Sequence, residues 1–292
     1  MTIGELYRQS VSLLQQAGFS RPDLEAAVLM EAALDVTRAG LVLAADRVLA
    51  DDETHTIRQM VSRRLAHEPA AYITGRREFW SRSFAVASSV LVPRPETEVL
   101  IERVLAVRNH LPHGPILDLG VGSGIILITL LLEMASRKGV GVDCSRAALA
   151  IARENGIYHG LDDRVQWVVS DWFDGLMPGR RFGLITSNPP YIARECLAAL
   201  PEDVRREPHV ALDGGRKGLE SLSAIIQQSA AYLMPGGYLF MEIGADQEKE
   251  VLELLNCPTG QNRLPLFAEA TVYPDYAGRP RVAGARRTTT CS

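Results

Sequence analysis

Apolar residues recur at helical spacing through the first 75 residues. After Thr2, a common capping residue, and before Gly18, the periodic apolar positions are Ile3, Leu6, Tyr7, Val11, Leu13 and Leu14. A second helix is predicted to open at Pro22, and a third runs from about Asp51 to His67. Because no strand pattern interrupts them, residues 1–75 are predicted to form a small helical bundle domain.

The pattern changes between Tyr72 and Val92, where aromatic and β-branched residues alternate with serine-rich breaks. Such a segment is typical of a short β-hairpin. Pro93 and Pro95 then interrupt the chain. We therefore assign residues 76–94 to a β-hairpin linker and begin a larger domain at Pro95, which extends to Ser292.

Strands alternate with helices after Pro95. The apolar runs that predict strands cover residues 115–119, 139–142, 165–169, 183–186 and 238–243. Helical patterns follow them, including residues 145–159, 219–234 and 246–256. This alternation predicts an α/β fold with a doubly wound, mostly parallel sheet and helices on both faces. We expect the last ten residues, Ala283 to Ser292, to form a loose tail.

The composition and the charge argue against several classes of protein. The 292 residues carry 31 basic and 35 acidic side chains, a net charge of −4, so the chain lacks the basic excess usual in proteins that bind duplex nucleic acid. No stretch resembles a spanning helix or a signal peptide. The four cysteines, Cys291 among them, are widely separated, and neither they nor the six histidines have metal-site spacing. We expect a cytoplasmic protein without a metal or a membrane partner.

A glycine-rich loop follows the first predicted strand of the larger domain. Gly120, Gly122 and Gly124 stand between this strand and a helix, where glycines let a ligand approach the backbone. A dinucleotide fingerprint is disfavoured because Ile125 stands where it needs a third glycine. The next strand ends at Asp143, whose carboxylate can accept both ribose hydroxyls of a nucleoside. A plain tight turn is the alternative for the loop.

Asp118, the glycine loop and Asp143 together resemble the class I S-adenosylmethionine-dependent methyltransferases. The resemblance implies a seven-stranded sheet, a loop that wraps the cofactor and an acid that holds its ribose. Asp171 and Trp172 fall where that family contacts adenine, although a buried core aromatic is the alternative for Trp172. The expected cofactor-binding residues are Asp118, Gly120, Val121, Gly122, Ser123, Gly124, Asp143, Asp171, Trp172 and Asn188.

A second motif, Asn188-Pro189-Pro190-Tyr191, follows the fourth predicted strand. Two prolines fix φ and remove two N–H donors, so their carbonyls and the Asn188 side chain can face a cleft. An amide nitrogen is a poor nucleophile because its lone pair is delocalised. The Asn188 oxygen and the Pro189 carbonyl can accept both N–H hydrogens and orient that lone pair, while Tyr191 offers a face for the planar group. These four residues are the candidate catalytic residues; a strand-terminating turn is the alternative.

Further segments extend the resemblance to nearly the whole chain. They are residues 68–75, 78–80, 91–98, 187–192, 203–205, 207–208 and 214–219. In this order and spacing they resemble the peptide chain release factor N(5)-glutamine methyltransferases, the HemK/PrmC family. Val121 stands where that family more often has threonine or cysteine.

The resemblance implies methyl transfer from S-adenosyl-L-methionine to the glutamine of the Gly-Gly-Gln motif in class I release factors, in support of translation termination. The N-terminal helical domain would help to hold that partner, and we expect a monomer. Two other acceptors stay open, since Asn-Pro-Pro-Tyr also occurs in adenine-N6 methyltransferases acting on nucleic acid, and a ribosomal-protein glutamine would need the same chemistry. A nonenzymatic binding module would be expected to lose Asn188 or Asp143, and both are present.

Overall fold

The structure, a computed structural model, describes residues 1–259 and 264–289. The chain divides into two compact units. The first comprises Met1–Arg76 together with Pro201–Arg206, and the second comprises Arg77–Leu200 and Glu207–Ser292. Cys291 lies outside the described residues. Within the described part of the chain, no helix has both the length and the apolar character needed to cross a bilayer.

The first unit is helical, as the sequence predicts. Its helices are α1 (Ile3–Gln16), α2 (Pro22–Leu34), α3 (Arg38–Leu43), α4 (Asp51–Leu65) and α5 (Ala70–Thr74). Thr2 caps α1 in a reciprocal arrangement, because its hydroxyl accepts from the Glu5 N–H at 3.2 Å and its own N–H donates to the Glu5 carboxylate at 2.8 Å. The short helices α3 and α5 have too few turns to show a periodic apolar pattern, and the sequence analysis missed them.

A segment distant in sequence completes this first unit. Arg64 is buried and donates to both carboxylate oxygens of Glu25, at 2.8 and 2.9 Å, and to Asp203 at 3.2 Å. Its guanidinium lies 4.4 Å from the ring centroid of Phe19. Arg206 donates to the carbonyl of Ala66. These bonds attach residues 201–206 to the helices, although the chain on either side of that segment belongs to the second unit.

The second unit contains a small hairpin and a large sheet. The hairpin is β1 (Arg76–Phe79) with β2 (Arg82–Ala85). The large sheet and its neighbours are α6 (Glu98–Ala106), β3 (Ile116–Leu119), α7 (Ile125–Glu133), β4 (Gly139–Asp143), α8 (Arg146–Tyr158), β5 (Val165–Val169), β6 (Phe182–Ser187), α9 (His209–Leu212), α10 (Glu220–Tyr232), β7 (Leu233–Glu242), α11 (Glu248–Asn256), β8 (Pro258–Thr259), β9 (Leu264–Pro265), β10 (Phe267–Pro274) and β11 (Pro280–Arg287).

One asparagine makes two of the bonds that attach the hairpin to the rest of the second unit. Asn155 of α8 accepts from the Ala85 N–H at 2.7 Å and donates to the Ala85 carbonyl at 3.0 Å. The two turn residues, Trp80 and Ser81, both have positive φ, as a two-residue turn of the primed type requires. The predicted hairpin is therefore present, and its second strand is bonded to α8.

The large sheet has seven strands in the order β10-β11-β7-β6-β3-β4-β5. Strands β7, β6, β3, β4 and β5 are parallel, while β11 is antiparallel to both of its neighbours. One apolar cluster includes side chains of α6, α7 and α8, and a second includes side chains of α10 and α11. Strands β3 and β6 are buried along their whole length, as expected between two helical layers. The predicted doubly wound fold is confirmed.

The expectation of a loose tail from Ala283 is wrong for the part that the structure describes. Residues 280–287 form β11, where Ala283 and Ala285 are buried and pair with Met241 and Leu239 of β7. A Cβ atom on Gly284 would lie 2.6 Å from the Phe240 ring, so the small residues fit a crowded position. Small side chains and three arginines gave this strand little apolar signal. Residues 290–292 lie outside the described residues.

Candidate active site

A cleft of about 470 Å³ opens at the carboxyl ends of the parallel strands. Its size falls in the range of ordinary small-molecule sites. The lining brings together nine of the residues singled out from the sequence: Gly120, Val121, Gly122, Ser123, Asp143, Asp171, Trp172, Asn188 and Pro190. Asp118, Gly124, Pro189 and Tyr191 are not part of the lining.

The glycine loop exposes backbone to the cleft. Gly120, Gly122 and Gly124 have φ of 67°, 54° and 85°, a region that residues with a Cβ rarely adopt. A Cβ atom on Gly124 would also lie 2.8 Å from the Ile128 side chain and 3.3 Å from Ala152, so this glycine allows α7 to approach α8. The loop is thus shaped by backbone conformation, while the Val121 side chain is buried in the apolar cluster of α6, α7 and α8.

Asp143 closes the other side of this loop. One carboxylate oxygen accepts from the Gly122 N–H at 2.9 Å, and the other accepts from the Ser145 N–H at 2.8 Å. Each oxygen keeps a further lone pair, because a carboxylate offers about four acceptor positions. Asp143 therefore fixes the loop and the start of α8 while its remaining acceptors stay available to a ligand.

Asp171 and Trp172 follow β5 and line the cleft together. Asp171 is exposed, whereas Trp172 packs partly against the core cluster below the sheet. The Trp172 backbone has a positive φ of 40°, and its ring lies 3.5 Å from the position of a Cβ on Gly120. The Trp172 side chain therefore contacts the core and also forms part of the cleft wall, and its contact with adenine stays a prediction.

Asn188 begins the Asn-Pro-Pro-Tyr segment, directly after β6. Its side-chain nitrogen donates to the Thr97 hydroxyl in a long contact of 3.4 Å. Pro189 is buried, and Pro190 forms part of the lining. Tyr191 is tied by its phenol, which donates to Glu242 at 2.9 Å. The segment is therefore held at both ends, with two stiff prolines between.

Glu242, the last residue of β7, lies at the centre of these bonds. It is buried and accepts from the Thr97 hydroxyl at 2.6 Å as well as from Tyr191. Burial raises the pKa of Glu242, and hydrogen bonds from Thr97 and Tyr191 oppose that rise, as does the positive charge of Arg281. Burial, together with the charge of Glu242, also raises the pKa of the Tyr191 phenol. At neutral pH Tyr191 is a donor.

The wall opposite the glycine loop comes from residues that precede α6 and from the start of α9. Pro93, Arg94 and Thr97 line the cleft, as do residues 208–211. The buried carboxylate of Glu207 holds these two stretches together, because it accepts from the Val92 N–H at 2.9 Å and pairs with Arg94. The sequence pointed to residues 203–205 and 207–208 only through the resemblance. In the structure, residues 203–205 belong to the first unit, and residues 207–208 belong to this wall.

Known proteins resemble this chain over nearly its whole length. Residues 5–75 match the family model described as the PrmC N-terminal domain, and residues 95–200 match the methyltransferase small domain. The release factor glutamine methyltransferase of Cereibacter sphaeroides is 39% identical over 98% of this chain and 99% of its own. That of Caulobacter vibrioides is 39% identical, covering 86% and 87%, and that of Koribacter versatilis is 37% identical, covering 99% and 100%. The chain belongs to the release factor glutamine methyltransferase family.

Solved structures agree on the fold of this family member. The hMettl16 catalytic domain, solved in complex with the MAT2A 3′UTR hairpin 6, has a TM-score of 0.53 at 16% identity and covers 83% of this chain and 84% of its own. A methyltransferase from Pyrococcus furiosus has a TM-score of 0.50 at 17% identity, covering 80% and 98%. At these identities the likeness concerns the fold alone. The protein is a methyltransferase with the fold expected from its sequence.

The sequence analysis did not single out five residues that line or support the cleft of this methyltransferase: Pro93, Arg94, Thr97, Glu207 and Glu242. Glu242 left a signal, because it is a carboxylate at the end of an otherwise apolar strand, where the ligand edge of a parallel sheet lies. Thr97 left none, since a threonine before a helix reads as a cap. Among the described residues, no group of three or more His, Cys, Asp or Glu could hold a metal ion.

Asp118 lies beneath the glycine loop and is buried. Its Oδ1 accepts from the Thr186 hydroxyl at 2.8 Å. Burial raises the pKa of Asp118 to about 7, and the bond from Thr186 opposes that rise. The folded protein therefore binds a proton at Asp118 over a pH range in which an unfolded aspartate, with an ordinary pKa near 3.9, has lost it.

This difference predicts how stability depends on pH. Between about pH 4 and 7 the folded state binds more protons, so the free energy of unfolding should fall as pH rises, by up to about 1.4 kcal/mol per pH unit from this group. In Asp118→Asn that contribution is absent. Chemical denaturation of the cofactor-free protein at pH 5, 6 and 7 measures it. The wild type should lose stability relative to the variant as pH rises, and parallel curves would contradict the assigned pKa.

Proposed function

We propose that this protein transfers the methyl group of S-adenosyl-L-methionine to the side-chain amide nitrogen of the glutamine in the Gly-Gly-Gln motif of class I release factors. The observation that carries the proposal is the position of Asn188. Its amide nitrogen donates to the Thr97 hydroxyl, which leaves the side-chain oxygen for the substrate amide. Asn188 lines the same cleft as the glycine loop. The names of the relatives, at 37–39% identity over most of the chain, support the same substrate.

The cleft residues fit a sulfonium nucleoside. Gly120 and Gly122 leave open backbone against which the cofactor can pack, and the free acceptor positions of Asp143 suit a ribose diol. Asp171 and Trp172 offer a carboxylate and an aromatic wall beyond it. When bound there, the cofactor supplies an electrophilic methyl group. Asp118 lies outside the lining, and the bond that it accepts from Thr186 joins β3 to β6.

Asn188 and Pro189 prepare the acceptor. The Asn188 side-chain oxygen and the Pro189 carbonyl accept the two hydrogens of the glutamine amide, which orients the nitrogen lone pair towards the methyl group. These acceptors bind more strongly as positive charge develops on that nitrogen, so they favour the transition state over the bound substrate. No separate general base is needed, because the nitrogen becomes acidic only after the transfer.

The first unit holds the partner in this proposal. Residues 1–75 match a family model distinct from the methyltransferase domain, and methyl transfer itself needs only groups of the second unit. We propose that these helices contact the release factor, that the linker over residues 76–94 positions the domain from residue 95 onward, and that the enzyme works as a cytoplasmic monomer.

The cofactor contact of Asp143 can be tested by calorimetry. Asp143→Ala should weaken binding of S-adenosylmethionine by about 1.5–3 kcal/mol, the scale of a lost charge-assisted pair of hydrogen bonds. Asp174→Ala is the matched control, because this exposed aspartate does not line the cleft. It should leave the affinity unchanged, and NAD should not compete. Equal affinities for the two variants would remove Asp143 from the cofactor site.

The acceptor can be identified by mass spectrometry. Incubation with S-adenosylmethionine and a class I release factor should add 14 Da to the Gly-Gly-Gln peptide, on the glutamine, and a release factor with glutamate in that position should stay unmodified. Duplex DNA, RNA and a ribosomal-protein extract serve as rival acceptors. Comparable incorporation into adenine, or into a ribosomal-protein glutamine, would overturn the proposed substrate in favour of that acceptor.

The role of Asn188 predicts a split between rate and binding. Asn188→Ala should lower kcat by roughly 10²–10³-fold, by analogy with loss of one transition-state hydrogen-bonding group. Affinities for the cofactor and the release factor should change far less. Asn188→Asp should retain partial activity, because a carboxylate accepts the same two hydrogens. A near wild-type rate for Asn188→Ala with saturating release factor would show that the segment is only a turn.

A further inference from the structure

Thr97 occupies a helix-capping position but does not cap its helix. It directly precedes α6, yet its side chain makes no bond to the first N–H groups of that helix. A threonine that caps a helix accepts from those N–H groups through its side-chain oxygen and has extended backbone angles. Thr97 instead has φ −66° and ψ −20° and ends a 3₁₀ turn, Pro95–Thr97, that leads into α6. Its side chain is fully buried, with the hydroxyl between Glu242 and Asn188. The hydroxyl is thus bonded within the site and takes no part in the helix end.

The bonds of this hydroxyl have a fixed direction. A carboxylate only accepts, and a hydroxyl has one hydrogen to give. Thr97 donates that hydrogen to Glu242 at 2.6 Å, so it has only lone pairs left for Asn188. The group of Asn188 that faces it, at 3.4 Å, must then be the amide nitrogen. This order of donors and acceptors determines which way the amide is turned.

A second bond to the same carboxylate holds the other end of the segment. The Tyr191 phenol donates to the second oxygen of Glu242 at 2.9 Å. Arg281 donates to the Tyr191 oxygen at 3.4 Å and to the Ile243 carbonyl at 3.2 Å. Burial raises the pKa of Glu242, and two hydroxyl donors and one nearby guanidinium oppose that rise. The direction of the Thr97 bond follows for the carboxylate form of Glu242.

We propose that Thr97 and Glu242 are positioning residues that fix the amide of Asn188 with its oxygen towards the acceptor nitrogen. If the amide were free to turn by 180°, its N–H₂ group would face the N–H₂ group of the substrate, two donors with no acceptor between them. Thr97 prevents that turn, and Glu242 sets the direction of Thr97. The inference rests on the proposed function, because it concerns how Asn188 meets a glutamine amide.

The test compares Thr97→Val with Thr97→Ser. Valine keeps the volume of threonine but removes the hydroxyl, so kcat for methylation of the release factor should fall roughly 10- to 100-fold. Serine keeps the hydroxyl and should restore the rate to within about twofold. Thr129→Val is the matched control, because Thr129 is also fully buried but its hydroxyl has no hydrogen-bond partner among the residues that the structure describes. That variant should retain the wild-type kcat, and all variants should keep their affinity for S-adenosylmethionine.

A double variant separates positioning from a structural role. If Thr97 acts through Asn188, adding Thr97→Val to Asn188→Ala should produce no further fall in kcat, whereas independent effects would multiply. A multiplied loss in the double variant, or a serine variant as slow as the valine variant, would overturn the proposal.

The side-chain amide signal of Asn188 can be measured without a release factor, so it tests the proposal separately from the proposed substrate. Selective labelling of the five asparagines with ¹⁵N gives few side-chain amide signals, and Asn188→Ala identifies the one from residue 188. In Thr97→Val this signal should shift and exchange faster with solvent, while Thr129→Val leaves it in place. An unchanged signal in Thr97→Val would contradict the positioning of Asn188 by Thr97. If the wild type does not methylate the release factor but the signal shifts as expected, the proposed substrate is wrong and the positioning of Asn188 by Thr97 is supported.

Discussion

Parallel pairing of β3 with its two neighbours is the constraint on which the site depends. Leu119, the last residue of β3, pairs with Val142 of β4 on one side and with Ser187 of β6 on the other. The three strands therefore end at one level, and the residues that follow them meet in one cleft. A slip of one residue would move every side chain of a strand to the opposite packed face, so the apolar layers on both sides maintain this register.

Glu242 shows the cost of placing a charge in this layered structure. Removing a carboxylate from water is expensive, and the pKa of Glu242 rises accordingly. Two hydroxyl donors and Arg281 offset that cost. A buried network of this kind is weak evidence for stability, because well-packed apolar residues of similar volume often serve as well. Its advantage here is direction, since a carboxylate only accepts and each hydroxyl has one hydrogen to give. This explains a carboxylate at a strand end that could have been apolar.

The sequence predicted the parts of the site that are contiguous in the chain. The glycine loop and the Asn-Pro-Pro-Tyr segment each sit at a strand end, and parallel topology then brings them together. It did not predict the bond between Thr97 and Glu242, which joins residues 145 positions apart and depends on the fold. The strand at residues 280–287 escaped for a local reason, because Gly284 and its alanine neighbours fit a crowded position and carry little apolar signal.

The acceptor segment alone does not choose between glutamine and adenine, because both present a planar nitrogen with two hydrogens. In the proposed function Asn188 and Pro189 would satisfy either group with the same two acceptors. Discrimination must therefore come from the walls that hold the rest of the acceptor, and here these walls depend on Glu207, which joins Arg94 to the residues before α9. A glutamine carried on a protein loop requires a wall that accepts a peptide backbone. In the proposed function the chemistry of the reaction and the choice of substrate would thus depend on different buried carboxylates, Glu242 behind Asn188 and Glu207 behind the wall.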